Sequence, residues 1–159
     1  MSETPRPHVR TVQPDDLELL WRWANDPVTR RNSFSPREIS LQSHSDWFHQ
    51  TLASPRSRIY MLEIDGEPQG QVRYDKISSD EAEIDVSIAP EHRGQGMGTL
   101  ALCLTRDLAI NDLGVSRVVG IVMTSNLASS AAFRKAGFIE GDRRTVKGHE
   151  CRIFVWPTS

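Results

Sequence analysis

At 159 residues, with 19 Lys and Arg against 21 Asp and Glu and a net charge of −2, the chain is long enough for one domain with its own core, and it lacks the basic excess that nucleic-acid binding requires. Two cysteines, Cys103 and Cys151, make no disulfide framework, and five scattered histidines lack ligand-like spacing to any cysteine or carboxylate, so neither a stapled secreted fold nor a metal site is expected. No apolar run approaches the roughly 18 residues that span a bilayer, and the first residues lack a hydrophobic signal core; a cytoplasmic single domain over 1–159, without a membrane partner, is the expectation.

Residues 8–12 read as a short strand, after which Gln13-Pro14-Asp15-Asp16 opens a helix with carboxylates at its positive end. Leu17, Leu20, Trp21 and Ala24 share one face of that helix, and Asn25-Asp26-Pro27 ends it. The stretch 28–36 is polar and irregular and carries two arginines beside an aromatic, as either an acceptor-binding loop or a solvated connector would. Ser43 or Ser45 caps the next helix, with Trp47, Phe48, Thr51 and Leu52 inward.

From Arg58 the period changes to two. Ile59 and Met61 alternate with Tyr60 and Leu62, Asp65-Gly66 turns the chain into a strand over 70–75, and 78–80 turns it again. Ala82, Ile84, Val86 and Ile88 then face one way, and Glu83, Asp85 and Ser87 the other. A helix follows on Met97, Leu100, Ala101, Leu104 and Leu108, with a C-cap at 113–114. Residues 115–123 are too apolar for a strand covered on one side only. A short helix runs from 124 to Lys135, and strands over 138–143 and 151–156 form a hairpin across a charged loop, 144–150. The order is mixed, α+β, a mostly antiparallel central sheet flanked by about four helices.

Between strand and helix lies Ile-Ala-Pro-Glu-His-Arg-Gly-Gln-Gly-Met-Gly, 88–98. Glycines at 94, 96 and 98 let successive N–H groups converge on an anion at the start of a helix. No Gly-Lys-Ser/Thr closes the turn as in a P-loop, and the spacing and distal acid of a dinucleotide fingerprint are missing. Arg93-x-x-Gly96-x-Gly98 after this strand end resembles the acyl-CoA signature of the GNAT N-acetyltransferase superfamily, and Asn126-x-x-Ser129-x-x-x-Phe133-x-x-x-Gly137-Phe138 resembles its next motif, in the family's order.

The resemblance implies an acetyltransferase using acetyl-CoA and no metal. It assigns Arg93, Gly94, Gln95, Gly96, Met97, Gly98 and Thr99 to the pyrophosphate turn, Ser87 and Ile88 to the pantetheine arm, and Asn126, Phe133 and Lys135 to the remaining cofactor contacts. Glu83 matches the position of a carboxylate that receives the amine's proton, with Asp85 on the same face as its competitor. Many members carry a tyrosine where this chain has Phe133; Ser129, which matches a serine of the subgroup acting on ribosomal-protein N-termini, is then the expected proton donor to the thiolate.

The first third of the chain resembles acetyltransferases that modify nucleotide-linked amino sugars in bacterial nonulosonate pathways. That likeness implies Trp23, Asn25, Arg30, Arg31, Asn32 and Phe34 as acceptor contacts, the arginines on a diphosphate and the aromatics stacked on a sugar or base. A peptide N-terminus is the alternative acceptor, and a non-catalytic acyl-CoA-binding scaffold the alternative of another class. The sequence leaves a homodimer open.

Overall fold

A computed structural model describes residues 4–157. An eight-stranded sheet carries helices on both faces, and the strand order explains where the cleft lies. Strands β1 (Pro7–Thr11), β2 (Ser57–Ile64), β3 (Glu67–Lys76) and β4 (Glu81–Ile88) form an antiparallel run. β5 (Arg117–Met123) pairs with β4 in parallel, and β8 (His149–Trp156) pairs antiparallel with β5 and with both β6 (Ile139–Glu140) and β7 (Arg144–Val146).

On one face α4 (Met97–Leu113) and α5 (Leu127–Lys135) cover a core that includes Tyr60, Leu62, Val72, Tyr74, Ile84, Phe133 and Phe154. On the other, α1 (Leu17–Ala24) and α3 (Leu41–Ala53) cover Ile59 and Met61 with Leu20, Trp23 and Phe48. This is why Ile59, Tyr60, Met61 and Leu62 are all buried: β2 alternates between two cores, not between core and water.

Several local expectations are corrected. Residues 28–36 do not begin as irregular chain: Pro27 at the first helical position and Asp26 as N-cap start a short helix, α2 (Pro27–Arg31), making five α-helices among the described residues. Ser40, not Ser43 or Ser45, caps α3 by accepting from Ser43 N–H. His44 takes the buried place on α3 expected of Trp47, donating from Nε2 to the Leu17 carbonyl at 2.9 Å, while Trp47 lies at the surface over the Arg73 guanidinium. The charged stretch 144–150 is a hairpin. Lys147 and Gly148, both at positive φ, make the two-residue turn that matches strand twist, so β7 folds back on β8.

Candidate active site

The site begins where two strands part. β4 and β5 are in register only from Glu81 opposite Arg117 to Ile84 opposite Gly120, so the backbone of residues 85–88 has no strand partner on the β5 side. A cleft of about 870 Å³ opens at that divergence, running from the glycine turn past Ser87 and Ile88 to a roof formed by α2 and the residues after it.

At one end Gly94 and Gly96 adopt left-handed φ values of 75° and 79°, which side chains disfavour, and a Cβ on either would meet nothing within 4 Å. Gly96 is the N-cap of α4, whose first intrahelical bond in this turn is Leu100 N–H to the Gly96 carbonyl. The N–H groups of Met97, Gly98 and Thr99 therefore point outward without helical acceptors, at the helix's positive end. Gly98 admits a close helix–helix approach, with Ala132 Cβ 3.4 Å from where its own Cβ would stand.

Along the floor, the cross-strand register brings polar residues together on the face turned towards α1 and α3. Gln71 lies opposite Ser87, Arg73 opposite Asp85, and Asp75 opposite Glu83. Asp75 accepts from Arg73 Nε at 2.8 Å and from Ser57 Oγ at 2.6 Å, and Gln71 Nε2 donates to Asp85 at 3.2 Å. Burial pushes the Glu83 pKa up, the Asp75 charge adds to it, and the Arg73 guanidinium opposes it; the net direction is upward from 4.5. Ser87 Oγ is buried without a hydrogen-bond partner.

The roof holds itself together. Asn25 brackets Ile39, donating from Nδ2 to its carbonyl at 2.8 Å and accepting its N–H at 2.7 Å. Arg30 donates from Nε to the Ala24 carbonyl and from Nη1 to those of Ser35 and Arg37. Phe34 reaches across to the β7–β8 turn, its ring centroid 5.9 Å from that of His149 and 5.9 Å from Lys147 Nζ.

The model of the acetyltransferase (GNAT) domain matches residues 6–139. The chain belongs to the GNAT acetyltransferase family. Among its relatives is spermidine N(1)-acetyltransferase of Escherichia coli K12, 27% identical over 137 residues that cover 84% of this chain and 74% of the relative. Similar folds include spermidine N-acetyltransferase from Vibrio cholerae in complex with CoA and spermine, with a TM-score of 0.82, 18% identity and 94% of each chain covered. Aminoglycoside acetyltransferase AAC(6')-Ib in complex with coenzyme A is another, with a TM-score of 0.80, 20% identity and the same coverage.

Within this GNAT domain the cleft gathers most of the residues singled out from sequence: Glu83, Asp85, Ser87, Ile88, Arg93, Gly94, Gly96, Met97, Gly98, Thr99, Asn126, Ser129 and Lys135 all line it. Gln95 is exposed outside it, as is Arg31, and Asn25 acts behind the roof as a staple. Arg30 lines the cleft with its Nε and Nη1 already donated to carbonyls. Trp23 is only 5% exposed, a core residue whose edge touches the cleft, whereas Asn32 and Phe34 line it half-buried. Phe133 is 1% exposed, stacked on Phe154 and edge-on to Phe138, so its ring belongs to the core under α4 and α5. Asn126 Oδ1 accepts from Ser129 N–H, capping α5, which leaves its amide donors for the cleft.

Arg73, Asp75 and Gln71 escaped the sequence reading. The alternation Gln71-x-Arg73-x-Asp75 mirrors Glu83-x-Asp85-x-Ser87 across the turn at 78–80, and pairing the two strands antiparallel brings the two polar sets onto one face. Among the described residues, no group of three or more His, Cys, Asp or Glu is placed to hold a metal, and no helix is long and apolar enough to cross a membrane.

Proposed function

We propose that this chain is an acetyl-CoA-dependent N-acetyltransferase whose acceptor is a small molecule bearing a cationic primary amine, with Glu83 as the base. The observation that carries this reading is the position of Glu83: half-buried on the cleft floor, pKa raised, beside Asp75 and Asp85 and one residue before the strands part. An ammonium is drawn to such a row, and a carboxylate with a raised pKa is a better proton acceptor than an ordinary one.

The donor side fits an elongated ligand with a diphosphate. Outward N–H groups at 97–99, the open approach at Gly94 and Gly96, and the partnerless Ser87 Oγ supply donors along its length. Acetyl-CoA supplies the activated acetyl group as a thioester. The free backbone edge of residues 85–88 orients the arm that carries it, Glu83 takes the proton from the amine directly or through water, and Ser129 Oγ on α5 holds a proton for the departing sulfur.

Relatives whose names specify spermidine, and fold neighbours bound to spermine or kanamycin, are in keeping with a cationic acceptor. A nucleotide-linked amino sugar would need arginines free for its diphosphate, and here Arg31 lies outside the cleft and Arg30 is largely committed to carbonyls. The deciding experiment follows CoA release with a thiol reagent, offering spermidine, kanamycin, a UDP-linked 4-amino sugar and an N-terminal peptide in turn. Turnover with a cationic amine, lowered about a hundredfold or more in Glu83→Gln with acetyl-CoA affinity kept, is the expected result. Turnover confined to the UDP-sugar or the peptide overturns the acceptor class; binding of acetyl-CoA without turnover of any amine would make the domain a scaffold.

A further inference from the structure

The side chain of Arg93 does something its motif position does not suggest. Its Nη2 donates to Asp26 Oδ2 at 2.6 Å and to Thr29 Oγ1 at 3.1 Å, crossing from the glycine turn to α2. Asp26 is the N-cap of α2, and the same Oδ2 accepts from Val28 N–H and Thr29 N–H. Burial pushes the Asp26 carboxyl upward in pKa, but the hydrogen bonds from Arg93 and the two N–H groups outweigh it, so the group sits below the ordinary 3.8 and is ionised at neutral pH. The Asp26 side chain is 14% exposed and that of Arg93 32%, so solvent screens the pair less than a bridge between two fully exposed side chains.

What Asp26 belongs to matters more than the bond itself. Asn25 fastens Ile39, and Arg30 fastens Ala24, Ser35 and Arg37, so the segment from 24 to 39 is a closed unit whose inner side forms the roof over the acceptor end. The Arg93–Asp26 pair ties this unit to the turn that opens α4.

We propose that Arg93 is a positioning residue for the acceptor: through Asp26 and Thr29 it sets the roof of the acceptor end against the glycine turn, while that turn meets the donor's diphosphate through backbone N–H groups and not through the Arg93 side chain. This rests on the transferase reading above. It separates two jobs at one residue. The backbone of Arg93 belongs to the donor turn, and its guanidinium belongs to the acceptor side.

Three variants of the full chain test it: Asp26→Asn, which keeps an oxygen to cap α2 but removes the charge, Arg93→Met, which leaves the capping carboxylate intact, and the double variant. Three quantities are read: CoA affinity by calorimetry, kcat and KM for spermidine at saturating acetyl-CoA, and deuterium uptake of amides 28–35 without any acceptor. Each single variant is expected to raise spermidine KM about tenfold and speed exchange at 28–35, with kcat and CoA affinity within about twofold of the unaltered protein, and the double variant is expected to add nothing further. CoA affinity falling about fivefold or more in Arg93→Met, with exchange at 28–35 unmoved, overturns the proposal, as do effects of the two substitutions that simply multiply. If the unaltered protein turns over kanamycin and not spermidine, kcat and KM are read with kanamycin; if it turns over no cationic amine, the acceptor reading fails, yet the exchange and CoA arms still decide the role of Arg93; if Asp26→Asn does not fold, Arg93→Met decides it alone.

Discussion

Glu83 on β4 stands opposite Asp75 on β3, two carboxylates on the same face of an antiparallel pair, with the Arg73 guanidinium bonded to Asp75. Burial first, and the Asp75 charge second, raise the Glu83 pKa from 4.5 despite Arg73. A base must be ionised to act, so the acidic limb of kcat/KM should lie above the ordinary glutamate value. Asp75→Asn removes a like charge and frees Arg73 towards Glu83, so the limb should move to lower pH. For stability the sign is opposite to that of a paired carboxylate. A raised pKa favours the fold below 4.5, and that advantage is lost as pH rises through the folded value; Glu83→Gln should therefore flatten the decline measured by thermal melts over that window.

Gly120 leaves room for the Phe133 ring. A Cβ there would stand 2.5 Å from Cε1 and Cζ of the ring, which Phe154 and Phe138 hold from two other sides. Gly120→Ala should cost about 1–3 kcal/mol in denaturant unfolding, and Phe133→Leu in that background should recover part of it. Additive losses would show that the ring yields freely.

Gly70 occupies a similar place beneath the end of β4. A Cβ would lie 2.8 Å from the Ser87 carbonyl oxygen and 2.6 Å from Ile88 Cδ1, and the carbonyl is backbone that cannot rotate away. Gly70→Ala should displace residues 87 and 88 and weaken CoA binding along with stability. Gly66→Ala is the control: with φ at 83° and nothing within 4 Å, it should cost about 1 kcal/mol of backbone strain and leave CoA affinity unchanged.

Ser129 lines the cleft on α5 with its N–H held by Asn126, so Ser129→Ala removes the hydroxyl without touching the cap. If that hydroxyl protonates the departing sulfur, kcat should fall about a hundredfold with acceptor KM little changed. An unaltered kcat would hand the proton to water.

The glycine turn, the helix it opens and the two-faced pattern of β4 were legible in the sequence because each depends on neighbours a few residues apart. Left-handed backbone at Gly94 and Gly96 needs glycine, and alternation along β4 assigns Glu83, Asp85 and Ser87 to one side whatever the rest of the chain does. The family motifs share that local character, and most of the residues they single out do line one cleft. The acceptor end was not legible in this way. Whether Arg30 faces a ligand or three carbonyls, whether Arg93 reaches a phosphate or Asp26 across 67 positions, and which residues of β3 face Glu83 depend on how distant segments meet. A long polar side chain takes whichever partner folding brings within reach, and burial then strengthens the bond it makes. Those choices are made by packing, and only the tertiary structure holds them.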